Sequence, residues 1–213
     1  MIIIDAGHGG IDPGACAKGI KEKDWTLEVS LHQQLFLKKL GVQTILTRSE
    51  DKGLTPGNRT NLVKRSGGSI CISNHFNAGG GTGAEVIHSI YSDGMLATAA
   101  GEALKEAGMP LRRIFSRKGS DNRDYYYMHR LTGTVETIIV EYGFLDSNED
   151  MAKLRTHSFR LKLAESVALS TIKIMKPSRY VVQAGLFKEK SHALKLCNEL
   201  KAKGYDAFIK QED

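Results

Sequence analysis

Short apolar runs that end in glycine-rich or polar turns recur along residues 1–175, alternating with segments whose apolar spacing is helical. That alternation leaves few folds open. It predicts an α/β layer architecture. Ile2-Ile3-Ile4 opens a strand at 2–5, which runs into Asp5-Ala6-Gly7-His8-Gly9-Gly10. Over residues 26–40, Leu27, Leu31 and Leu35 make a helical stripe flanked by Val29, Phe36 and Leu40, and Gly41 is placed to end that helix. β-branched residues then predict a strand at 42–47. A helix is expected to begin near Pro56 and run to Arg65, because proline is tolerated in a first helical turn. Further strands fall at 69–73, 84–91 and 134–141, and helices at 95–107 and 159–175. Residues 111–130 carry arginine and tyrosine clusters without a clear period and read as a long surface loop.

Lys176-Pro177-Ser178 breaks the last helix and marks a linker, 176–178, between a domain at 1–175 and a tail at 179–213. Within the tail, 179–187 alternate as a strand, 191–203 are amphipathic with Ser191 as candidate N-cap, and 206–210 form another strand. The tail is thus one small C-terminal β-α-β unit, too short to bury a stable core alone.

Thirty basic against 24 acidic residues leave a charge of +6, which either serves solubility or suits a polyanionic partner such as nucleic acid or an anionic cell wall. No dense basic stripe with interleaved aromatics is present, so no nucleic-acid partner is expected. No run approaches the roughly 20 apolar residues of a membrane span. Met1 leads straight into the first strand without a signal-peptide pattern. The expectation is a protein made in the cytoplasm that reaches its target after release by a pore or by cell lysis. Cys16, Cys71 and Cys197 are far apart, with Cys71 and Cys197 expected as buried thiols.

Chemistry concentrates at strand ends. His8 follows the first strand among small residues, where a metal and a substrate backbone can approach closely. Ser73-Asn74-His75-Phe76-Asn77 repeats the arrangement. Two histidines plus one carboxylate, with a fourth position left open, make a catalytic zinc donor set. Glu22 and Asp24 are both candidates for the carboxylate, and either would also be favourable charge at a helix N-terminus. Glu141 ends the apolar run Thr137-Ile138-Ile139-Val140, where a carboxylate is costly without a partner or a task. A general base beside a metal is one explanation and a structural salt bridge the other. His32, His88, His129, His157 and His192 show no ligand spacing; His129 is the strongest further candidate among them.

Asp5-Ala6-Gly7-His8-Gly9-Gly10 with Asp12-Pro13-Gly14-Ala15, then Gly19-Ile20-Lys21-Glu22-Lys23-Asp24, Ser73-Asn74-His75-Phe76-Asn77-Ala78 and Val140-Glu141-Tyr142-Gly143-Phe144-Leu145 form an ordered set. This set resembles the zinc-dependent N-acetylmuramoyl-L-alanine amidases of the type 3 family. The resemblance implies a phosphorylase/hydrolase-like fold, a twisted mixed β-sheet flanked by helices on both faces, with Zn2+ held by His8, Glu22 and His75, and Glu141 as catalytic glutamate. Glu22 is preferred to Asp24 by motif order alone. The implied reaction is cleavage of the amide between N-acetylmuramic acid and L-alanine in bacterial peptidoglycan, causing wall lysis. A zinc peptidase or deacylase, or an inactive wall-binding protein, are the competing readings. Ala6 stands where the family usually has proline, and Asn74 where it commonly has isoleucine or leucine.

Tyr180-Val181-Val182-Gln183-Ala184-Gly185-Leu186-Phe187 and Gly204-Tyr205-Asp206-Ala207 resemble half of a sporulation-related (SPOR) repeat. That resemblance implies binding to peptidoglycan glycan strands through Tyr180, Gln183 and Phe187. A lone half leaves a sheet edge uncovered, which could pair with a second chain as a two-fold homodimer or dock on its own amidase domain.

Overall fold

The computed structural model describes residues 1–175 and 182–211. Contacts divide the chain into two units, Met1–Lys176 and Pro177–Asp213.

The first unit is built on a six-stranded sheet: β1 (Ile2–Ala6), β4 (Thr44–Leu46), β5 (Ile70–Asn77), β6 (Ala84–His88), β7 (Leu111–Ser116) and β8 (Glu136–Phe144). β2 (Cys16–Ala17) and β3 (Ile20–Lys21) form a separate antiparallel hairpin. The strand order is β4-β1-β5-β8-β6-β7. The first four are parallel, β6 runs antiparallel to β8, and β7 is parallel to β6. The expected mixed sheet is therefore present.

Period-two alternation sends neighbouring side chains to opposite faces. Ile2, Ile4, Ile72, Ile138 and Val140 enter one core, under α1 (Glu22–Lys39), α3 (Met95–Glu106), α5 (Asn148–Leu154) and α6 (His157–Met175). Ile3, Cys71, Ile87 and Ile139 enter the other, with Val63 of α2 (Pro56–Arg65) and Met128 of α4 (Tyr127–Arg130). Helices thus cover both faces. α2 starts at the expected proline, and the Thr55 side chain accepts from Asn58 N at 3.2 Å as its cap.

Four expectations need correction. Helix α1 does not bury the Leu27–Leu31–Leu35 stripe: Leu35 is 59% exposed, while Trp25, Thr26, Val29, Ser30, Gln33 and Leu37 are buried. Half of that inward face is polar, so an apolar stripe pointed to the wrong side. Residues 111–130 are not one loop, since they contain β7 and α4. In the tail, α7 (Lys190–Ala202) is present, but Glu189 is its N-cap position and no side chain caps it, so Ser191 does not play that part. Among the described residues neither 182–187 nor 206–210 forms a strand. Val182, Leu186, Tyr205 and Phe208 are exposed there, and two isolated strands without a covered face are marginal. Residues 179–181, with Tyr180, lie outside the described residues.

Candidate active site

β1, β5 and β8 are parallel neighbours, so their carboxyl ends line one edge of the sheet. Open α/β sheets place reactive groups at such edges. His8 follows β1, His75 sits late in β5, and Glu141 lies directly opposite His75 in β8. The β2–β3 hairpin returns the chain so that α1 begins with Glu22 beside them. Glu22 N donates to Ala15 O at 2.9 Å, and Ala15 N donates to Glu22 Oε2 at 2.7 Å.

The donor atoms of His8, Glu22 and His75 all lie within 4.8 Å of one another. Glu22 Oε2 is 3.0 Å from His8 Nε2, and its Oε1 is 2.8 Å from His75 Nδ1. The two imidazoles meet edge to face with centroids 5.0 Å apart. Asp24 is exposed and lies outside this cluster, whereas Glu22 is buried within it. The cluster is packed so closely that only glycine fits beside it. A Cβ on Gly7 would stand 2.3 Å from His75 Cε1, and one on Gly14 would stand 2.5 Å from Glu22 Oε2.

His8 itself takes a left-handed backbone, with φ of 58°. Its surroundings hold it there against that strain. His8 Nδ1 donates to Asp12 Oδ2 at 2.8 Å, and Arg59 Nη2 donates to His8 O at 2.7 Å. Arg59 Nη1 also donates to Asp5 Oδ1 and to Ala6 O, each at 2.6 Å. Arg48 reaches the same turn, donating from Nε to Ala6 O and from Nη2 to Gly7 O. Ala6 uses its N–H on Thr47 Oγ1 at 3.3 Å, a bond that proline in its place would lack. Asn74, the second motif departure, is buried and fully bonded: its amide donates to Ser30 Oγ and Gln33 Oε1 and accepts from Tyr142 Oη.

Burial works against ionisation of Glu22, but hydrogen bonds and charge from His75 and His8 outweigh it and hold the carboxyl below its ordinary range. Burial works against a charged His75 as well. The Glu22 carboxylate again wins, lifting the imidazole to about 9, and His8 is raised by the same partner. Glu141 differs. Burial raises it to about 7, with Glu22 and Glu85 pushing the same way against the pull of His75. Its Oε2 is closed off from solvent and has no hydrogen-bond partner among the described residues.

His8, Glu22, His75 and Glu141 are thus brought together, as expected. His129 is not: it is buried in α4, and burial lowers it to about 4. His32 pairs with Glu165 and His157 with Glu28. The cluster of His8, Glu22 and His75 is the sole grouping of metal-suited side chains among the described residues. Asp12, Arg48, Arg59 and Glu85 were not singled out from sequence. The one available signal was Asp5, an acidic residue closing an apolar strand that needs a cation.

Residues 2–173 match the family described as N-acetylmuramoyl-L-alanine amidase, and residues 143–211 match the SPOR domain. The SPOR match starts well before residue 179, inside β8. The missing half that motivated a homodimer therefore loses its force, and the comparisons give a dimer no support. The sporulation-specific N-acetylmuramoyl-L-alanine amidase of Bacillus subtilis (strain 168) is 32% identical over 100% of this chain and 85% of its own length. The N-acetylmuramoyl-L-alanine amidase CwlM of Bacillus licheniformis is 30% identical over the same shares. Among solved structures, Cwp6 from Clostridium difficile superposes with a TM-score of 0.78 at 28% identity, covering 82% of this chain and 29% of that one. The catalytic domain of CwlV from Bacillus (Paenibacillus) polymyxa var. colistinus gives 0.73 at 25% identity, covering 82% of this chain and 97% of that domain. The chain belongs to the N-acetylmuramoyl-L-alanine amidase family of enzymes.

Proposed function

We propose that the chain hydrolyses the amide between N-acetylmuramic acid and L-alanine in peptidoglycan with a zinc ion held by His8, Glu22 and His75, and so lyses cell wall. The observation that carries this reading is Glu141: a half-buried carboxylate directly opposite His75, with one enclosed oxygen that has no hydrogen-bond partner among the described residues. Two histidines and one carboxylate leave a position open, as catalytic rather than structural zinc sites do. The glycine cradle at Gly7 and Gly14 leaves that donor set room to converge. When bound, zinc supplies a Lewis acid that polarises the scissile carbonyl and makes water more acidic.

The protein's own groups do the rest. Asp12 fixes the ring of His8 through Nδ1, directing Nε2 inward. Glu141 takes a proton from the attacking water and passes it to the nitrogen of the departing L-alanine. A carboxyl poised near 7 can both accept and return a proton at neutral pH. Glu141→Gln should keep zinc at full stoichiometry and lose turnover by about 10²–10⁴-fold. A variant with the wild-type rate would remove Glu141 from this role. Digested peptidoglycan should show new N-terminal L-alanine; any other new terminus would favour a different zinc peptidase.

In this reading 1–175 is the catalytic domain, 176–178 the linker and 179–213 the wall-binding part. Gln183 and Phe187 are exposed and available to glycan strands, and Tyr180 joins them by resemblance. Release by a pore or by lysis would bring the enzyme to the wall.

A further inference from the structure

We infer that Arg112 and Arg113 form a clamp for a free carboxylate of the stem peptide, about two residues beyond the scissile amide. The inference rests on the amidase reading and adds a specificity site to it.

In a regular strand, consecutive side chains point to opposite faces. Arg112 and Arg113 do not. The register between β6 and β7 slips, with Ala84 opposite Leu111 but Glu85 opposite Arg113, so Arg112 is the extra residue of a bulge. Bulges re-aim side chains and gather at sheet edges beside active sites. Here the slip delivers both guanidinium groups to Glu85. Arg112 Nη1 donates to Glu85 Oε1, Arg113 Nε donates to the same oxygen at 2.7 Å, and Arg113 Nη2 donates to Oε2 at 3.4 Å. Asn77 Nδ2 also donates to Oε2, at 3.2 Å.

Glu85 is a sunken anchor with its side chain 2% exposed, whereas Arg112 and Arg113 stand 42% and 51% exposed. Two cations on one anion leave a positive charge over. Each guanidinium has five N–H donors, and Glu85 engages only a minority of them. Aromatic faces hold both planes: Arg112 lies 5.6 Å from the Phe144 ring centroid and Arg113 4.0 Å from that of Phe115. Such a fixed pair of forks suits a carboxylate.

Its position suits the substrate. Arg113, Glu85, Glu141 and His75 are consecutive partners across β7, β6, β8 and β5. At about 4.8 Å per strand, the clamp lies roughly 10 Å from Glu141. An extended peptide advances about 3.3 Å per residue, so its second residue stands about 7 Å out, and the exposed side chains of Arg112 and Arg113 span the rest to its carboxylate.

The test compares two soluble muramoyl tripeptides, identical except that the second residue carries a free α-carboxyl or its carboxamide. The intact zinc-loaded enzyme should favour the carboxylate by about 10–100-fold in kcat/KM, the range for a charged hydrogen bond. Arg112→Gln/Arg113→Gln should bring that ratio toward one, through a higher KM for the carboxylate substrate. Arg112→Lys/Arg113→Lys keeps the charge that Glu85 needs and should lose most of the preference with the fork. A wild-type ratio near one overturns the clamp. So does a ratio that either double variant leaves intact, because a purely structural pair would slow both substrates alike. Failure of the wild type to cut either substrate at the muramoyl–alanine bond overturns the amidase reading, and the clamp with it.

Discussion

His75, lifted to about 9, holds a proton at neutral pH that a metal must displace, and His8 is shifted in the same direction by the same carboxylate. Zinc affinity should therefore climb as pH rises toward about 9, with protons released on binding. Calorimetry in buffers of different ionisation enthalpy measures that release, and a pH-independent affinity would contradict it. Gly14, at φ of 66° against Glu22, should not tolerate alanine: Gly14→Ala should weaken zinc binding by about 10–100-fold in a chelator competition. At this scale much was legible, because glycines around a histidine and a lone glutamate in an apolar strand are visible in one dimension. Asp5 with Arg59 was not. Those two residues meet across 54 positions, and nothing in local pattern pairs them.

For whole elements, legibility followed polarity. Strands β1, β5 and β8 were found because their apolar runs are buried on both faces. The inward face of α1 was misjudged because Thr26, Ser30 and Gln33 are buried there. These residues serve a network: Gln33 Nε2 donates to Tyr142 Oη at 3.1 Å, and both bond Asn74. Asn74→Leu would strand Gln33 and Tyr142, costing about 1–3 kcal/mol of stability in a denaturant melt. Adding Gln33→Leu should recover part of that loss. Strand β7 escaped notice because its bulge breaks the alternation that marks strands. His129 in α4 gives a pH signature. Burial lowers it from 6.5 to about 4, so the unfolded chain binds its proton more readily than the folded one. Stability should fall as pH drops from about 6.5 to about 4, by on the order of 2–3 kcal/mol from this group. Thermal melts should show His129→Gln lacking that part of the acid slope.

Across the whole molecule, the sheet gathers residues from two strand directions at one edge. β6 runs against β8, so its amino end brings Glu85 level with Glu141. The order β8-β6-β7 could not be read from the sequence, since pairing across the sheet leaves no local trace. In the second unit two strands were expected, and its described residues hold only α7. Phe187 stands 41% exposed there, available to a glycan chain. Phe187→Ala in the full chain should lower the fraction of enzyme that sediments with intact sacculi. It should also lower the ratio of sacculus to soluble muropeptide cleavage. An unaltered sedimenting fraction would take Phe187 out of wall binding.

The slipped register of β7 has a consequence for life at high concentration. β7 is one of the sheet's two edge strands, and an open strand edge invites another chain to add to it. An extra residue spoils the even spacing such a newcomer would need, and two neighbouring positive charges repel a second copy of the same edge. Straightening β7 by deleting Arg112 would offer a clean template, and the protein's solubility would fall with it.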